Sequence, residues 1–224
     1  MHILLVSATS NEIQETLDFL SSNAEQKSFS EFIFTGNSII PYVTGVGSPM
    51  TAFALGRYHQ FTTDYRIVHA GISGSYSTDL KIGTLVEVIE ERWADLGAEE
   101  ENGQLLDLFE LKLCKPNQMP FKQEWIAKKN NKFETDLLKC KGLTVNRTSG
   151  RRETIQQIRI KYKADVESME GAAVFYASRM WDIPFVSIRS ISNLIEPRNR
   201  DHWNIPLALK ELNSYLVQFL TNLN

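Results

Sequence analysis

Two carboxylates and an amide occupy positions at which a sheet protein does its chemistry. The stretch from Asp165 to Glu196, DVESMEGAAVFYASRMWDIPFVSIRSISNLIE, holds two of the three. Glu170 sits between Met169 and the small residues Gly171, Ala172 and Ala173, in the first turn of the helix that the apolar, aromatic run behind it predicts. Small side chains there let the chain approach a ligand closely, although a first-turn carboxylate is also favoured by the helix macrodipole with no ligand present. Asn193 follows a strand predicted over IPFVSIRSIS, which is β-branched, too short for a second helix and begun behind a proline that cannot sit in mid-strand. An Asn after a strand is often a turn residue. Here it ends a polar run, Ser190, Ser192 and Asn193, at the carboxyl end of a strand, where open α/β sheets bind ligands. Glu12, at the head of the first helix, has the same dipole reading as Glu170.

The elements that must position these groups alternate along the chain. Ile3 to Ala8 is apolar throughout and predicts an interior strand, with Thr9, Ser10 and Asn11 turning into a helix over EIQETLDFL. SSNAEQKS is expected as a polar spacer before strands over FSEFIF and SIIPYVTG. A helix over GVGSPMTAFALGRYHQF follows, with Ser48 able to cap it and Pro49 in a first-turn place where its missing donor is harmless. The next strand, RIVHAGISGS, ends in Gly71, Ile72, Ser73 and Gly74, a backbone suited to passing close beside a flat ligand. The pattern is weakest from 103 to 141, where LLDLFELKL fits strand or helix and FKQEWIAKKNNKFETDLLKC is expected as an exposed helix. GLTVNRTSG predicts a strand and loop, RRETIQQIRIKY an amphipathic helix, and VES a polar lead-in to Met169 and Glu170. A terminal helix capped by Asn204 turns Leu209, Leu212, Leu216, Phe219 and Leu220 toward the sheet. The class is α/β: a three-layer α/β/α fold around a central twisted mixed sheet, in a single domain over 1–224.

Composition excludes several functions. With 42% apolar residues in 224 the chain can bury a full core, and a net charge of −3 gives no basic surplus to draw nucleic acid. Nowhere do eighteen apolar residues run together, and the amino terminus has neither a basic region nor a small-residue cleavage site, so no membrane partner and a cytoplasmic location are expected. Cys114 and Cys140 are too isolated for a zinc knuckle or a disulfide framework. Gly45 and Gly47 lack the rest of a dinucleotide fingerprint, and the carboxylates of WADLGAEE lack histidines at ligand spacing. Neither a metal nor an organic cofactor is expected.

VESMEGAA, with IRSISN beginning eighteen positions beyond Glu170, resembles the signature of the nucleoside phosphorylase and nucleosidase superfamily. AGISGS stands where that superfamily has a Gly-rich loop, DLKIGTLVEV is similar to its continuation apart from Thr84 in place of an Asp, and the resemblance covers nearly the whole chain. It implies a small purine nucleoside as substrate. Glu12 would orient and deprotonate the attacking water, Glu170 would accept bonds from the sugar hydroxyls, and Met169 would pack against the ribose. Ile72 and Ser73 would form the backbone beside the glycoside, and Asn193 would bind the base. Relatives carry Asp at that last place when the base is adenine, whereas an amide donor at O6 or N7 suits a 6-oxopurine, with hypoxanthine as the leaving base. Phosphorylases place an Arg soon after the first strand, but Lys27 is the one basic residue from Thr9 to Phe34, which favours water as the nucleophile. A phosphorylase, an adenine-releasing nucleosidase and a non-catalytic nucleoside-binding module are the alternatives. The resemblance further implies a homodimer or higher homo-oligomer. In the branch most resembled the substrate bears a carboxyphenyl group, for which Arg147, Arg151, Arg152, Arg198 and Arg200 are candidate partners.

Overall fold

Strand β1 (His2–Ser7) buries almost every side chain, and the sheet is assembled on both sides of it. The computed structural model describes residues 1–58, 62, 64–129 and 133–223. From β1 the chain passes through a 3₁₀ turn (Ser10–Ile13) into α1 (Gln14–Asn23), then β2 (Glu25–Ser28), β3 (Glu31–Phe34), β4 (Asn37–Val43), α2 (Ser48–Arg57) and β5 (Tyr65–Ser75). Next come β6 (Leu85–Trp93), the paired strands β7 (Gly97–Glu99) and β8 (Leu105–Asp107), β9 (Ile126–Ala127), β10 (Leu138–Thr144) and α3 (Arg152–Tyr162). The last part is β11 (Val166–Ser168), α4 (Gly171–Met180), β12 (Phe185–Leu194), a 3₁₀ turn (Arg200–His202) and α5 (Ile205–Thr221).

The main sheet is mixed and runs β11-β10-β6-β12-β5-β1-β4-β3-β2, with β9 on β6. Alternation along β1 sends Leu4 and Val6 into one core with Leu55, Phe175 and Phe185, under α2 and α4. Ile3 and Leu5 go to the opposite core with Ile13, Leu20, Leu212 and Leu216, under α1 and α5. These are the expected three layers. β12 lies mid-sheet, parallel to β5 and antiparallel to β6, and is buried on both faces from Phe185 to Ser192. The far end of β5 also pairs with β11, Glu167 opposite Gly74 and Val166 opposite Ser75, so β5, β12, β6, β10 and β11 close into a ring. That closure was not legible as a separate feature in the strand pattern.

Three local expectations are corrected. Part of SSNAEQKS is β2, an exposed edge strand whose ladder to β3 needs no apolar side chain. VES is β11, fully buried although two of its three residues are polar, because those polar groups face neighbours inside the ring. FKQEWIAKKNNKFETDLLKC is not a helix but β9, a loop and the start of β10; positions 130–132 lie outside the described residues, as do 59–61 at the end of the helix expected before β5 and position 224 of the terminal helix. Two of its lysines reach a buried partner. Lys128 and Lys139 both pair with Glu87, a fully buried carboxylate of β6 that also accepts from the Thr135 backbone and hydroxyl. Charge thus fastens this segment to the sheet. Glu87→Ala leaves both ammonium groups without their partner and is expected to cost about 3 kcal/mol in urea unfolding; a loss below about 1 kcal/mol would remove that role.

Candidate active site

The carboxyl ends of β1, β5 and β12 and the turn before α4 enclose a cavity of about 480 Å³, and all six sequence-expected residues line it: Glu12, Ile72, Ser73, Met169, Glu170 and Asn193. Glu12 lies in the 3₁₀ turn ahead of α1 rather than in that helix. Its Oε2 accepts from Thr9 N at 3.0 Å, and its Oε1 accepts from Ile72 N at 3.3 Å. The carboxylate therefore caps its own turn and is also pinned to β5 at the cavity wall, so the dipole reading and the site reading hold together. Ile72 acts through its backbone, as does Ser73, whose carbonyl accepts from Ser192 Oγ.

Arg189, which the strand pattern concealed, stands beside Glu12. It is 1% exposed, and a Cβ added at Gly71 would lie 2.8 Å from Glu12 Oε1 and 3.2 Å from Arg189 Nη1. Any side chain at Gly71 would separate or displace them. Arg189 Nη2 donates to the His69 ring, 2.7 Å from Nε2. Burial, and then the charge of Arg189, hold His69 well below its usual pKa, so the ring is neutral and can accept. Arg189 Nε is buried with no partner among the described residues. The sequence signal was an Arg among the small and apolar residues of a central strand, a burial costly enough to need a reason.

Glu170 occupies the N-cap of α4, one position before the expected first turn, yet its carboxylate does not cap. Ser168 Oγ accepts from Gly171 N and Thr144 Oγ1 from Ala172 N, so neighbouring strands cap the helix instead. This frees Glu170 to turn toward the cavity, where Oε1 accepts from Gly47 N at 2.8 Å. Burial raises its pKa, while the Gly47 N–H and Arg189 draw it back down. Gly45 and Gly47, both at positive φ, thus shape a loop that presents an amide to Glu170. Ser48 is the first residue of α2 and not its cap; its hydroxyl donates to the Met169 carbonyl, which holds Met169 at the cavity.

Asn193 is aimed by a β-bulge, since Ile191 pairs with Ser73 and Asn193 with Gly74, leaving Ser192 extra. Its Oδ1 accepts from Ser192 Oγ at 2.8 Å and its Nδ2 donates to Leu194 O at 2.9 Å. One N–H remains for a ligand. A Cβ at Gly74 would lie 3.1 Å from that Nδ2. Of the five rim arginines, Arg198 lines this cavity, beside Trp203, whereas Arg147 and Arg151 line a separate one. Asp95 of WADLGAEE accepts from Asn146 N and orders a loop. Among the described residues no cluster of metal-ligating side chains occurs, both cysteines are free, and no helix is long and apolar enough to cross a membrane.

A sheet half open and half closed, with acid groups gathered where β1, β5 and β12 end, defines the class. The chain belongs to the phosphorylase superfamily, whose family model matches residues 2–221. Futalosine hydrolase of Streptomyces coelicolor is 30% identical over 146 residues, which is 65% of this chain and 61% of that protein. The chain therefore matches somewhat less than two thirds of that relative. Futalosine hydrolase of Thermus thermophilus is 28% identical over 181 residues, 79% of each chain. The solved S-adenosylhomocysteine nucleosidase of Streptococcus pyogenes, in complex with 5-methylthiotubericidin, has the same fold, with a TM-score of 0.75 at 20% identity over 100% of this chain and 98% of that one.

Two predictions follow from the buried groups around α4. A Cβ at Gly171 would strike the Glu91 carboxylate, so Gly171→Ala is expected to destabilise by roughly 1–3 kcal/mol; an unchanged denaturation midpoint would mean that Glu91 moves aside freely. Burial pushes the Glu91 carboxyl up to about 8 from an ordinary 4.5. Because the folded pKa is the higher one, its stabilising contribution is complete below about 4.5 and is lost as pH rises toward 8. Glu91→Gln is expected to flatten the stability profile across that window, measured by thermal unfolding at successive pH values; a profile as steep as the parent's would contradict it.

Proposed function

We propose that the chain, acting as one catalytic unit over 1–224 in the cytoplasm, hydrolyses the N-glycosidic bond of futalosine, releasing hypoxanthine and dehypoxanthine futalosine in menaquinone biosynthesis. The observation that carries this reading is the pairing of Glu12 and Arg189 at Gly71, with Asn193 three residues further along β5 at Gly74. Three strand residues span about 10 Å, roughly the length of a nucleoside. Glu12 Oε1 takes a proton from water as the water oxygen bonds to C1′, and the C1′–N9 electron pair leaves with the base, which then takes up a proton. Arg189 stands on the other side of Gly71 and sets a positive charge near the carboxylate that takes the proton. Glu170 accepts from the sugar hydroxyls, Met169 packs on the ribose, and the spare N–H of Asn193 donates to O6 or N7 as negative charge builds on the base. Arg198 at the rim is the partner for the carboxylate of the substrate.

Both futalosine hydrolase relatives support this substrate, and the amide at 193 supports a 6-oxopurine base. An adenine-releasing nucleosidase is the second reading, favoured by more distant nucleosidase relatives at 23% and 24% identity and by the Streptococcus pyogenes fold likeness. A homo-oligomer is proposed as well, because Val46 both lines the cavity and lies beside the exposed Met50 and Phe53 of α2, apolar surface that a second copy would cover.

Incubating the protein with futalosine and identifying the products by chromatography tests the reading: hypoxanthine is expected, and recovery of intact futalosine would end it. Glu12→Gln should bind substrate nearly as the parent does and lose about 100-fold in turnover, roughly 3 kcal/mol; turnover within threefold of the parent would remove the base role. Glu170→Gln should lower kcat and raise KM together, and an unchanged kcat/KM would return it to a structural part.

A further inference from the structure

Glu12 is held through its carboxylate by Thr9 and Ile72, and a second set of bonds holds its backbone. They come from Asn213, in the interior of α5, which is 2% exposed beside the fully buried Leu212. Asn is a poor residue for a helix interior, and burying its amide is costly unless the polar atoms are satisfied. Here both ends of the amide are fully used. Asn213 Oδ1 accepts from Thr16 N at 3.0 Å and from Thr16 Oγ1 at 2.7 Å, while Nδ2 donates to Glu12 O at 3.0 Å and to Leu209 O at 2.8 Å. A backbone N–H meets the oxygen and two backbone carbonyls meet the nitrogen, so the amide has one orientation.

The Thr16 N–H and the Glu12 carbonyl are the two ends of a bond that an unbroken α-helix would close between residues four apart. Asn213 takes both ends instead. Its amide is thus inserted into the helical ladder where the 3₁₀ turn (Ser10–Ile13) meets α1. The N-cap of α1 is Ile13, whose side chain makes no cap bond, and Asn213 supplies that bond from α5. A 3₁₀ turn advances about 20° more per residue than an α-helix, so the point at which one gives way to the other decides where the Glu12 side chain is aimed.

We infer that Asn213 is the positioning residue for the base: its inserted amide keeps the Glu12 turn from winding into α1, and so keeps the Glu12 carboxylate against Ile72 N at the cavity wall. Asn213 does not itself line the cavity, although Leu209, whose carbonyl it bonds, does. With an apolar side chain of similar size at 213, the Thr16 N–H is free to close on the Glu12 carbonyl. The α-helix then extends back through Glu12 and turns its carboxylate away from β5.

The inference rests on the reading of Glu12 as the base, and the test separates the two. kcat and KM for hypoxanthine release from futalosine are measured on the parent, Asn213→Leu, Glu12→Gln and the double variant, with thermal unfolding recorded for each. Asn213→Leu is expected to lose about tenfold or more in kcat with KM within about twofold of the parent, since a displaced base leaves the substrate contacts in place. In the Glu12→Gln background the same substitution is expected to cost less than about twofold, because a residue that acts through Glu12 has nothing left to position. A merely structural residue would lower kcat alike in both backgrounds. Asn213→Asp keeps the Thr16 bonds and loses the donors to Glu12 O and Leu209 O; it is expected to show the same loss and takes the place of the leucine variant if that chain does not fold. A kcat within about twofold of the parent, an equal loss in the two backgrounds, or failure of both variants to fold would overturn the role of Asn213 while leaving hydrolysis standing. A parent that releases no hypoxanthine, or Glu12→Gln at the parent's turnover, would overturn the reading of Glu12 underneath it.

Discussion

A guanidinium with almost no access to water governs how this site is built. Arg189 is 1% exposed in the middle strand of the sheet and makes no salt bridge with any described residue. Burying a charge in that way costs several kcal/mol, and burial does lower its pKa, opposed by Glu170, Glu12 and Glu91 in that order. These carboxylates do not touch it; they surround it. His69, held neutral, takes the hydrogen bond that an anion would otherwise supply. The charge of Arg189 in turn draws the pKa of Glu170 downward against the rise that burial imposes.

Close approach of buried acids then dictates where side chains must be missing. Gly71 admits Glu12 and Arg189, Gly74 admits Asn193, and Gly142 and Gly171 together make room for Glu91 between β10 and α4. The small residues after Glu170 accordingly serve two purposes: Gly171 yields space to Glu91 beneath the helix, while the strand caps from Ser168 and Thr144 spare Glu170 from capping. Apart from the loop at Gly45 and Gly47, the geometry of the site is thus held by backbone and by hydrogen bonds from strands and turns.

The layering and the six cavity residues were legible from the chain, because periodicity identifies buried strands and the MEGAA and SISN stretches carry a family resemblance. What stayed hidden has a common physical cause. VES and the lysines near 128 and 139 look solvated by composition, but their polar groups are satisfied by partners distant in sequence: Tyr76 for Glu167 and Glu87 for the lysines. Arg189 was overlooked for the same reason. Hydrophobic patterning assigns polar residues to the surface, and it fails where a closed ring of strands gives them an interior to face.

Water activated at Glu12 is the nucleophile proposed for this site. The most direct measurement is the rate of hypoxanthine release from futalosine by enzyme freed of phosphate by dialysis, followed by the same assay with phosphate restored. Equal rates are expected, with a sugar product that carries no phosphate in either case. Release that begins only when phosphate is added and yields a sugar 1-phosphate would contradict it.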